Sequence, residues 1–149
     1  MYEEPKMEKI TVNLPPVELG RIDLLVEAGI YPTRTEFIRS AIRKILDSHE
    51  EYIADRLEML RKETTGIETK EEEAISSLFG MGVMNLGKKN FERALAQNKK
   101  IHVTFVGLLV IDKNVSAQLV EKTVEKVRVY GVIKASNEVR KSLEKINQK

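Results

Sequence analysis

The stretch MEKITVNLP, Met7 to Pro15, restricts the possible folds more than any other part of the chain. Apolar Ile10, Val12 and Leu14 alternate in it with polar Lys9, Thr11 and Asn13, the period of a strand with one buried face. Nothing nearby is suited to pair with it. The residues that follow carry helical spacing, and no second strand-like run starts before Ile101. A lone strand leaves its ladder donors and acceptors unpaired, and even a two-stranded ribbon is marginal in water unless something packs on one face. The strand is therefore expected to borrow its mate.

The segment PPVELGRIDLLVEAGIYP sets Leu19, Ile22, Leu25 and Val26 at helical spacing, with Pro16 suited to a first turn and Gly29 to a stop. In TRTEFIRSAIRKIL, Thr33 and Glu36 stand three apart as in a capping box, so a second helix is expected to start sharply at Thr33. Its apolar face comprises Phe37, Ile38, Ala41, Ile42, Ile45 and Leu46. One strand and two helices cannot cover that much apolar surface, whereas two copies can. If the strands of two chains pair antiparallel, Ile10, Val12 and Leu14 of both face the helices, and Lys9, Thr11 and Asn13 of both face solvent. A polar-faced ribbon of that size matches the DNA major groove.

The segments KITVNLP, VELGRIDLLVEAG and YPTRTEFIRSAIRKIL, within residues 7–48, resemble the ribbon-helix-helix family, the MetJ/Arc/CopG class of dimeric DNA-binding proteins. The resemblance implies that the outward ribbon residues Lys9, Thr11 and Asn13 read base edges. It also implies that the amino end of the second helix, Thr33, Arg34 and Thr35, grips backbone phosphate. The chemistry suits both roles: Lys donates to guanine, Asn pairs with adenine, and a helix start offers free N–H groups and a positive dipole end. Read alone, those ribbon residues are the wet side of a strand and TRTE is a helix cap; their joint spacing favours DNA.

Net charge gives no general support for nucleic-acid binding. Residues 1–66 carry ten Lys/Arg against thirteen Asp/Glu, a balance of −3, and residues 67–149 carry fifteen against ten, a balance of +5. Affinity for phosphate in the first half must come from local placement. Nickel-responsive members of the family need several His and Cys ligands, but this chain has His49, His102 and no cysteine. Nickel sensing is rejected, and no cofactor is expected.

Residues 49–66 read as a helical connector, with Ser48 and Glu51 as a further capping box, Ile53, Leu57 and Leu60 at helical spacing, and Gly66 as a stop. An acidic run, Glu71 to Glu73, favours a helix start near Thr69 rather than a metal site. The last part repeats. Setting Gly82, Gly107 and Gly131 in register gives offsets of 107 − 82 = 25 and 131 − 107 = 24, and aligns Phe91, Val115 and Val139, then Leu95, Leu119 and Leu143. Each unit reads as a strand through glycine, a polar turn (Asp112–Asn114, Ser136–Glu138) and an amphipathic helix. Such units stack like leucine-rich repeats because none covers its apolar face alone. The glycines of GMGVMNLG lack the spacing of a phosphate loop.

The expected fold is thus α/β overall. A ribbon-helix-helix dimerising domain at 7–48 and the 49–66 connector precede a strand-turn-helix repeat domain at 67–149, a short parallel sheet with helices on one side, for oligomerisation or partner binding. No catalytic constellation emerges and no enzyme is expected. The resemblance to archaeal CopG-like regulators implies a transcriptional regulator, a homodimer on double-stranded DNA with a tetramer or higher assembly open to it. The competing reading is an antitoxin, or a scaffold that uses the ribbon to dimerise. The charged start MYEEPK and the lack of any apolar run near the ~20 residues that span a bilayer point to the cytoplasm.

Overall fold

The computed structural model describes residues 7–65 and 77–148, which fall into two compact units, Met1–Arg56 and Leu57–Lys149. The expected stop at Gly66, the helix start near Thr69 and the run Glu71–Glu73 lie outside the described residues.

In the first unit, α1 (Pro16–Glu27) begins with proline in its first turn, where the missing N–H costs nothing, and is followed by Gly29 at φ +75°. Helix α2 (Arg34–Ser48) is capped by Thr33, whose Oγ1 accepts from the Glu36 amide at 3.1 Å. Tyr31 and Phe37 meet edge to face at 5.1 Å across the turn. Among the described residues of this unit Ile22 alone is buried. The expected second capping box does not form: Ser48 ends α2, its hydroxyl donating to the Ile45 carbonyl at 2.7 Å. Helix α3 (Glu50–Thr65) runs through the boundary between the units at Arg56 and Leu57. Within it, hydrogen bonds from Arg61, helped by nearby Lys62, pull the Glu58 carboxyl down to about 2.

The second unit is mixed α/β. Strands β1 (Ser77–Leu86), β2 (Ile101–Ile111) and β3 (Val124–Lys134) form one parallel sheet in the order β1-β2-β3. Helices α4 (Lys88–Ala96), α5 (Ala117–Thr123) and α6 (Asn137–Asn147) pack in succession, α4 on α5 and α5 on α6. Gly107 stands opposite Gly82 on one side and Gly131 on the other. Alternate strand residues, among them Leu86, Val103, Phe105, Leu109 and Val127, fill a core shared with Phe91, Ala94, Val120, Val139 and Leu143 of the helices. Ser116 and Ser136 cap α5 and α6 by accepting from the Leu119 and Val139 amides at 3.2 and 3.3 Å.

The alternation alone shows no strand before Ile101, but the repeat places one through Gly82, and the run SLFGMGVMNL forms that strand, β1, by pairing along β2. Two expectations change here. Val115 is buried like Phe91 and Val139 but lies ahead of α5, and Leu95 is exposed where Leu143 is buried. The carboxyl end of α3 is anchored to the sheet: Thr64 Oγ1 donates to Thr104 Oγ1 at 2.6 Å, and Arg128 meets Glu63 at 3.2 Å.

Candidate nucleic-acid interface

Residues 7–15 belong to no helix or strand of the single chain, and both of their alternating sets are exposed. Lys9, Thr11 and Asn13 are open to solvent, but so are Ile10 at 75% and Val12 at 61%. The strand expected over Met7 to Pro15 is therefore not formed in the single chain, where no ladder pairs with it. Leu14 lines an open cleft of about 470 Å³ with Ile22, Leu25, Phe37, Ala41 and Ile42. On α2 the expected apolar face is present and uncovered, with Ile42, Ile45 and Leu46 all exposed.

At the amino end of α2 the three expected phosphate-binding residues are adjacent. Thr33 Oγ1 accepts from Glu36, which leaves its own proton to donate. Phe37 N–H bonds the Thr33 carbonyl at 3.1 Å, so the amides of Arg34 and Thr35 are the end-of-helix donors. Arg34 has a partner that sequence reasoning missed. Its Nε and Nη2 fork onto the two Asp23 carboxylate oxygens of α1 at 2.6 and 2.7 Å. No periodic pattern links residues on different helices, so only the fold reveals the pair. These hydrogen bonds hold the Asp23 carboxyl below the usual carboxylate range and raise Arg34. A lowered carboxyl stabilises the fold above its unfolded value, and that contribution is lost as pH falls through the folded one. The Asp23 side chain, followed by NMR, is expected to titrate below the ordinary carboxylate range and to move back up toward it in Arg34→Ala.

The two histidines sit in different units. His49 Nδ1 lies 2.9 Å from the Ile45 carbonyl, and His102 Nε2 lies 2.7 Å from Glu125 Oε2. Among the described residues no three His, Cys, Asp or Glu side chains cluster as a metal site, and no helix is long and apolar enough to cross a membrane.

A polar and apolar alternation ahead of two helices, the second capped by Thr33, is the chain order of the ribbon-helix-helix class. The chain belongs to the Ribbon-Helix-Helix transcriptional regulator family, whose model matches residues 5–140 and so extends through all three strands of the sheet. It is also similar to the transcriptional regulator CdrS of Halobacterium salinarum, 40% identical over 43 residues that make up 29% of this chain and 78% of that protein. No solved structure matches.

Proposed function

We propose that this chain is a sequence-specific transcriptional regulator that works as a homodimer, with residues 7–15 of two subunits paired as an antiparallel ribbon in the DNA major groove. The observation that carries the reading is the uncovered apolar surface of the first unit, where Ile10, Val12, Ile42 and Ile45 are exposed beside an apolar cleft. A second copy of the same surface covers it and gives each ribbon strand its ladder. Lys9, Thr11 and Asn13 then face the bases, and Thr33, Arg34 and Thr35 face phosphate. Asp23 uses two guanidinium nitrogens of Arg34 and leaves Nη1 for the phosphate. Residues 67–149 are read as a leucine-rich-repeat-like domain for oligomerisation or partner binding, with 49–66 as connector. The reading is of a cytoplasmic regulator without enzymatic activity.

Two substitutions test it together on selected and random duplexes near ~50 mM salt, where phosphate contacts count most. Asn13→Ala is expected to cost about 1–3 kcal/mol on the preferred site and little on random DNA. Arg34→Ala is expected to weaken all sequences alike and to flatten the dependence of affinity on salt. Proportional losses from both variants on both duplexes would remove the ribbon from the groove.

A further inference from the structure

We infer that the outer edge of β1 receives the outer edge of β3 from a second copy of this chain, so that the second units join head to tail in one continued parallel sheet. This deepens the oligomerisation reading of residues 67–149 and draws nothing from the ribbon. The glycine column carries it. A Cβ on Gly107 would meet the Gly82 carbonyl, and one on Gly131 would meet the Gly107 carbonyl, so each strand sets a glycine carbonyl against the glycine of the strand that follows. Gly82 shares the backbone of the other two, at φ +112° beside +128° and +132°, yet nothing lies within 4 Å of its added Cβ. It is a receiver without a donor. Gly131 ends the series as a donor without a receiver, because among the described residues no strand pairs with the outer edge of β1 or of β3.

The direction of this contact chooses the occupant. Pairing β1 with the β1 of another copy sets two receivers together, and pairing β3 with another β3 sets two donors, whereas β3 beside β1 restores the contact found twice within the chain. A parallel neighbour from the same chain needs a crossover of about a dozen residues or more, which residues 66–76, running directly into β1, are too few to supply. Residues 7–15 contain no glycine. With Gly131 beside Gly82, Val127 and Ile133 stand beside Leu78 and Met84 on the helix side, and Tyr130 stands beside Met81 on the other. Strand β1 has none of the charges or prolines that keep an edge strand single, so no like charges oppose along the joint. Open grooves of about 320 and 370 Å³ mark the two ends of the unit, one lined by Leu78, Leu86 and Phe91 and the other by Val129, Ile133 and Leu143. A strand with its helix, ~33 Å long and ~20 Å deep, offers on the order of 600–700 Å² on each side. That approaches the ~800 Å² of an independent interface, and no tether is required.

The chain has no cysteine, so Met81→Cys and Tyr130→Cys each place a single thiol at an exposed strand position, and Gln118→Cys on α5, between the other two helices, provides the control. Adjacent strands stand ~4.8 Å apart, within the ~4.4–6.8 Å that a disulfide spans between Cα atoms. The full-length proteins are oxidised singly and as an equal mixture of Met81→Cys with Tyr130→Cys, and covalent pairs are followed on a denaturing gel. The expected result is that the mixture forms pairs about tenfold faster than either protein alone or than Gln118→Cys, because only the mixture sets one thiol beside another. A single variant that pairs as fast as the mixture reveals a two-fold contact, and a mixture no faster than the control means that the edges do not meet. Either result overturns the inference and leaves the ribbon reading standing, since that reading is tested separately on DNA by Asn13→Ala and Arg34→Ala.

Discussion

Gly107→Ala is expected to destabilise the second unit by at least about 3 kcal/mol and to lower its thermal midpoint, read by circular dichroism, by about 10 °C or more. Two costs combine. Gly107 has φ +128°, a conformation that side chains rarely adopt, and a Cβ there runs into the Gly82 carbonyl of the neighbouring strand. Gly131, at φ +132°, meets the Gly107 carbonyl in the same way. Gly82, at φ +112°, has nothing within 4 Å of its added Cβ, so Gly82→Ala carries only the conformational cost and a smaller loss. Gly20 lies in α1 with ordinary backbone and open space around it, and Gly20→Ala is expected to stabilise by about 0.5–1 kcal/mol. Equal effects at Gly20 and Gly107 would mean that close packing of these backbones does not hold the sheet.

Val12→Asp separates a dimer from a monomer more sharply than any other substitution. In the single chain Val12 is 61% exposed, and a carboxylate there meets water at almost no cost. In the proposed dimer it lies between the ribbon and the helices of both subunits, without a cation to pair it. The expected loss is more than about 3 kcal/mol per subunit, with the first unit unfolded and specific DNA binding gone. A folded Val12→Asp monomer in sedimentation would reject the paired ribbon.

Features set by neighbours in sequence were legible. The Thr33 cap, Pro16 in the first turn of α1 and Gly29 after it all depend on contacts a few residues long. The glycine spacing was readable for a different reason. Stacked backbones tolerate no side chain at their closest approach, so the constraint recurs at each crossing, and Gly82, Gly107 and Gly131 do stand side by side. What escaped depends on partners distant in sequence. Arg34 and Asp23 are joined across two helices, and Thr64 finds Thr104 only when α3 reaches the sheet. Strand β1 has a weak pattern of its own and is specified by β2, and α5 gives way to β3 at Val124 without an intervening loop to mark the change.

The column of three glycines also governs how this half of the chain can change length. A residue gained or lost inside a strand moves its glycine away from the neighbouring carbonyl and turns every later side chain to the opposite face. Extra residues at the turn around Asn98, or between Asp112 and Ser116, leave the column intact, and the entropy of closing a longer turn grows only as the logarithm of its length. Insertions and deletions are thereby confined to the turns, and the sheet itself can grow or shrink only by a whole strand with its helix.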